Sequence, residues 1–69
     1  MSTGKIQEWN PGPGSGKIKN DEGGAQLEFD SNDLRTPAER GALRRGDKVE
    51  FQVDTEDRNH AVDVGKPMF

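Results

Sequence analysis

Gly14-Ser15-Gly16-Lys17-Ile18-Lys19 and, after a break at Asn20-Asp21-Glu22-Gly23-Gly24, Leu27-Glu28-Phe29-Asp30 decide how this chain folds. Gly16 and Ile18 fall on one side of an extended backbone, with Ser15, Lys17 and Lys19 on the other. Likewise, Leu27 and Phe29 oppose Gln26, Glu28 and Asp30. Alternation with a period of two marks a strand that has one face in a core and one in water. The asparagine, aspartate and glycines between the two segments supply the turn that joins them.

The same pattern continues on both sides. Ile6 leads an earlier strand that stops at Asn10-Pro11-Gly12-Pro13-Gly14, whose prolines and glycines cannot continue a ladder. Val49, Phe51 and Val53 alternate with Lys48, Glu50, Gln52 and Asp54 in a fourth strand. The polar connection Asp54-Thr55-Glu56-Asp57-Arg58-Asn59 follows, and Val62 with Val64 marks a fifth strand. Short strands with one apolar face each predict an all-β chain. Closure into a five-stranded antiparallel barrel of the oligonucleotide-binding (OB) type would remove the exposed edges. Between the third and fourth strands, Thr36-Pro37-Ala38-Glu39 places a threonine cap, a proline at the first helical position and a glutamate three residues on. At most a short helical turn is predicted there, ended by Gly41. One domain is expected over 1–69, with 65–69 as a tail whose Phe69 is free to fold back onto apolar surface.

Composition bounds the rest. With 69 residues, 28% of them hydrophobic, the chain can bury only a small core of modest stability. Low hydrophobicity with 33% charged residues would also suit a disordered chain, but the ordered alternation argues against that. The absence of cysteine excludes a disulfide framework and a thiolate metal site and fits a reducing compartment. No apolar run exceeds two residues, so neither a signal-peptide core nor a membrane span is expected, and a cytoplasmic location is. A net charge of −3 gives no global attraction to polyanions, although a local basic face still can.

Five pieces in order carry a resemblance: Gly4-Lys5-Ile6-Gln7-Glu8-Trp9-Asn10, Gly14-Ser15-Gly16-Lys17-Ile18, Asp21-Glu22-Gly23-Gly24 with Leu27-Glu28-Phe29-Asp30, Leu43-Arg44-Arg45-Gly46-Asp47-Lys48-Val49-Glu50-Phe51, and His60-Ala61-Val62-Asp63-Val64. Together they resemble the bacterial cold-shock proteins. That family reads G-x-V-K-W-F-N, K-G-F-G-F-I, a D-x-G turn, V-F-V-H-F, L-x-x-G-x-x-V-x-F and Q-A-V-N-V. The resemblance covers residues 4–64, with one extra residue between Leu34 and Leu43 as the main change in length. It implies a cold-shock domain that binds single-stranded RNA or DNA by stacking bases on outward aromatics of the first three strands, inside a basic surround.

Position by position, those aromatics are replaced. The family tryptophan corresponds to Glu8, and the phenylalanines of K-G-F-G-F-I to Ser15 and Lys17. The phenylalanine, histidine and final phenylalanine of V-F-V-H-F correspond to Glu28, Asp30 and Ser31. Only Trp9 keeps an aromatic, in place of the phenylalanine of K-W-F-N. Losing three stacking positions at about 1 kcal/mol each costs roughly a hundredfold in affinity, and the carboxylates repel phosphate besides. Binding to single-stranded nucleic acid is therefore expected to be weak or absent, with Trp9, Lys5, Lys17, Lys19, Arg44 and Arg45 as the residual candidates. The plainer alternative is a solvated sheet face on which Glu8, Glu28 and Asp30 offset Lys17 and Lys19 in cross-strand pairs. A second functional class, a protein partner bound on the altered face, stands beside it. The basic residues Arg35, Arg40, Arg44, Arg45 and Lys48, set against Glu39 and Asp47, lack interleaved aromatics and read as a solvated loop or a sequence-blind phosphate contact.

No catalytic constellation emerges, so no enzyme and no cofactor is expected. Gly16-Lys17 suggests a phosphate loop, but Pro11 and Ile18 occupy the first-glycine and hydroxyl positions of G-x-x-x-x-G-K-[ST]. His60 is the sole histidine. Glu8, Glu28 and Asp30 would suit a hard cation only if they converged, and no metal is expected. A monomer is expected.

Overall fold

The computed structural model describes residues 2–67. Five strands form one antiparallel sheet: β1 (Ser2–Asn10), β2 (Ser15–Asn20), β3 (Gln26–Asp30), β4 (Lys48–Val53) and β5 (Ala61–Gly65), in the order β3-β2-β1-β4-β5. β1 serves two neighbours, pairing with β4 over its first residues and with β2 over nearly its whole length. The sheet curls until its outer strands meet. Glu28 on β3 and His60, just ahead of β5, form a parallel bridge, and the Glu28 N–H donates to the Asn59 carbonyl at 2.8 Å. The fold is thus an all-β, five-stranded barrel of the OB type.

Its interior is built by the alternation seen in the sequence. Ile6, Ile18, Leu27, Phe29, Val49 and Phe51 are all buried, and Leu43, Ala61 and Val64 complete the core. Among the described residues no polar or charged residue is buried as a whole, although one carboxylate oxygen of Glu39 is shielded from solvent without a hydrogen-bond partner. Among the described residues no helix is long and apolar enough to cross a membrane. Phe69 lies outside the described residues.

β5 departs from simple alternation. Val62 and Val64 do not share a face: Ala61 and Val64 are buried and Val62 is half-buried. The cause is a bulge opposite Phe51, where the register jumps from Glu50–Gly65 to Gln52–Val62 and Asp63 takes a positive φ of 54°. An extra residue on one strand turns the following side chains over. Arg35 holds this bulge, with its guanidinium 3.3 Å from Glu50 and 3.8 Å from Asp63.

The connection from β3 to β4 contains two short turns. A 3-10 turn over Ser31–Asp33 is closed by a capping box: the Asp30 carboxylate accepts from the Asn32 N–H, and Asp33 accepts from the Asp30 N–H. The helical turn α1 (Glu39–Ala42) starts later than its sequence signature predicts. Thr36 contributes its carbonyl, accepting from the Glu39 N–H at 3.1 Å, and not its hydroxyl. Gly41 lies inside the turn, which ends as Leu43 inserts into the core.

Candidate nucleic-acid interface

The outer faces of β1, β2 and β3 lie side by side, and the register groups their residues into rows. Glu8, Lys17 and Glu28 form one row; Asn10, Ser15 and Asp30 form the next, towards the 11–14 connection. At the other end stand Lys5, Lys19 and Gln26. Side chains directly opposite one another on neighbouring strands are the closest pairs on a sheet. Lys17 is therefore flanked on both sides by a carboxylate. A shallow depression of about 110 Å3 lies here, bordered by Glu8, Asn10, Ser15, Lys17 and Glu28.

Trp9 requires a correction. It does not stand on this face with Lys17. A bulge between Ile6 and Glu8 leaves both Gln7 and Glu8 exposed and pairs Trp9 with Gly16 on the inner side. The indole ring stacks on Phe29, with centroids 5.3 Å apart and planes 7° from parallel. Its Nε1–H donates to the Arg40 carbonyl at 3.0 Å. Gly16 makes room for this pair, because a Cβ there would lie 2.8 Å from the Phe29 ring. Trp9 is thus a half-buried lid on the core, with one face of its ring already covered and its donor already used. The signal that could have placed it is Gly16, the one residue type that lets two rings pack across it.

The remaining candidates separate by location. Asp30 turns into its own loop as the cap described above, and Ser31 packs beneath Gly14, donating its N–H to the Gly14 carbonyl at 2.8 Å. The three carboxylates considered for a cation do not converge, since Lys17 stands between Glu8 and Glu28. No group of histidine, cysteine, aspartate and glutamate among the described residues is placed to hold a metal. Lys19 is also corrected: its cross-strand neighbours are Lys5 and Gln26, with no carboxylate opposite. Gln26 donates to Gln7 at 2.8 Å beside it.

The basic cluster of the loop splits three ways. Arg35 is committed to the β5 bulge, and Arg40 donates to the Pro11 carbonyl at 2.8 Å and to the Gly12 carbonyl at 3.3 Å. Arg44 and Arg45 are exposed in the turn before β4, which is stitched to β1 through the Gly46 N–H to Ile6 carbonyl bond and its reciprocal from Ile6 to Asp47. Lys48 joins the outer face beside Lys5. His60, a lone histidine that reads from the sequence as a surface or packing residue, approaches Asp33 to 2.6 Å and ties the 3-10 turn to the start of β5. No protein-family model matches this chain, and no curated protein matches it significantly.

Proposed function

We propose that this protein is a cold-shock-like module, of the family that binds single-stranded RNA or DNA, whose direct binding through the β1–β3 face is weak or lost. The observation that carries this reading is the row Glu8–Lys17–Glu28, which alternates charge where a base-binding face needs π-surfaces. Trp9, turned inward onto Phe29, already has one ring face covered and does not stand in line with Lys17 on the outer face. Two carboxylates within one strand spacing of Lys17 also offset the attraction of its ammonium for phosphate. On this reading the protein is a non-enzymatic cytoplasmic monomer that needs no cofactor.

Fluorescence anisotropy of a labelled oligothymidine, with Trp9 emission followed in parallel, tests the proposal. Weak binding at low salt that disappears near physiological salt, or no binding at all, is expected. Saturable binding that survives physiological salt would overturn it. Restoring Ser15→Phe, Lys17→Phe and Glu28→Phe together should raise affinity roughly a hundredfold, at about 1 kcal/mol per stacking position. A folded triple variant with no gain would sink the account of the face. The depression between Glu8, Lys17 and Glu28 favours one second reading, a protein contact on the same pleat. A partner recovered by the native protein would then be lost on exchanging Lys17→Glu and Glu28→Lys.

A further inference from the structure

We propose that the cleft between the 3-10 turn and α1 is a binding site for a small organic monocarboxylate, a carboxylate carried on a compact apolar body. The cleft holds about 380 Å3 and is lined by Ser31, Asn32, Leu34, Pro37 and Arg40. Sites for small molecules are concavities of roughly 300 to 1,000 Å3 with apolar walls and a few placed polar groups. This one lies off the β1–β3 face and is independent of what that face binds.

Its walls are held from outside. The capping box of Asp30 and Asp33 fixes the turn that carries Ser31 and Asn32. Leu34 bridges to Val64, and the Arg35 N–H donates to the Val64 carbonyl at 2.7 Å, which pins that wall to β5. Arg40 is tied to the connection between β1 and β2, its Nε–H donating to the Pro11 carbonyl at 3.2 Å and its Nη2 to the Pro11 and Gly12 carbonyls at 2.8 and 3.3 Å. Walls already in place spare a ligand the cost of ordering them.

The unused groups select the ligand. Three of the five guanidinium N–H groups of Arg40 go to neutral carbonyls, and the two on Nη1 have no acceptor among the described residues. Arg40 has no ion-pair partner among them either. Its charge is uncompensated, and no other charged residue lines the cleft. Among the described residues Ser31 and Asn32 are hydrogen-bonded only through their main chains, which leaves a hydroxyl and an amide to spare. A carboxylate accepts from all three kinds of donor, and the planar guanidinium matches it better than an ammonium does. Leu34 and Pro37 add apolar contact that an inorganic anion cannot use. The Arg40 carbonyl also accepts the Trp9 Nε1–H at 3.0 Å, so a ligand on the Arg40 side chain is felt at the indole.

Phenylacetate is the probe, titrated into isotope-labelled protein while the resonances of the Trp9 Nε1–H and the Asn32 side-chain amide are followed. Saturable shifts are expected, with half-saturation at about 0.1 to 1 mM. Phenylacetamide lacks the charge, acetate lacks the apolar body and inorganic phosphate offers only charge; each should bind about tenfold more weakly or worse. Arg40→Met should lose about tenfold. Asn32→Ala removes an exposed side chain with no bond of its own, so the fold is kept, and should lose about fivefold. Arg58→Gln, the same change of charge at an exposed residue elsewhere, should leave binding unaltered. No saturable shift by about 10 mM overturns the site. Acetate or phosphate binding as well as phenylacetate shows general attraction of anions and overturns the ligand assigned. Native affinity in Asn32→Ala places the carboxylate elsewhere and overturns the proposal too. None of these results alters the oligothymidine test of the β1–β3 face.

Discussion

The two faces of β1–β3 are made by the same residues in alternation, yet they obey different rules. On the inner face, Gly16, Phe29 and Trp9 fit one another so closely that the missing Cβ of one residue is the space occupied by the ring of another. On the outer face, neighbours meet only through solvent-exposed charge, where most substitutions cost little. A barrel of this kind can therefore exchange much of its outer surface while keeping its fold, because the two sets of side chains point to opposite sides of the sheet. On the proposed reading, that separation is what would let a chain keep the barrel of a nucleic-acid-binding domain and dispense with its stacking residues.

The separation can be broken by experiment. Phe29→Ala should have the largest effect, removing about 3 to 5 kcal/mol from a domain whose core supplies little more, so that cooperative unfolding is lost or shifted far down in urea. Gly16→Ala should come next. Its Cβ would sit 2.7 Å from the Glu8 carbonyl oxygen and 2.8 Å from Phe29, and overpacking of that order costs about 1 to 3 kcal/mol, readable as a lower urea midpoint. Trp9→Phe keeps the stacked ring but loses the bond to the Arg40 carbonyl, for about 1 kcal/mol. Glu28→Gln, on the outer face of the same strand as Phe29, should stay within about 0.5 kcal/mol of the native protein. If Glu28→Gln cost as much as Gly16→Ala, the outer face would be part of the stability of the barrel and the contrast would fail.

Much of this was legible in the chain. Ile18, Leu27, Phe29, Val49 and Phe51 lie in the core as alternation predicts, because a side chain's direction on a strand depends only on the local backbone. Two bulges account for the departures. At Ile6–Glu8 the bulge turned Trp9 inward, as a half-buried ring packed on the core, and opposite Phe51 it brought Ala61 and Val64 together on the inner side. A bulge is an agreement between two strands, and neither strand announces it alone. The arginines of the 35–45 loop show the same limit. Arg35 and Arg40 are consumed by groups distant in the chain, whereas Arg44 and Arg45 are exposed, and nothing in their local sequence distinguishes them.

Residue order alone settled which residues face inward in the regular strands and where the strands stop, since pleating, proline and glycine act over a few residues. Tertiary structure decided which outward residues stand next to each other. Glu8, Lys17 and Glu28 became a row of mixed charge and Lys19, Lys5 and Lys48 a row of lysines only when the barrel fixed its register, because which charges are neighbours depends on distances across strands that no spacing along the chain contains.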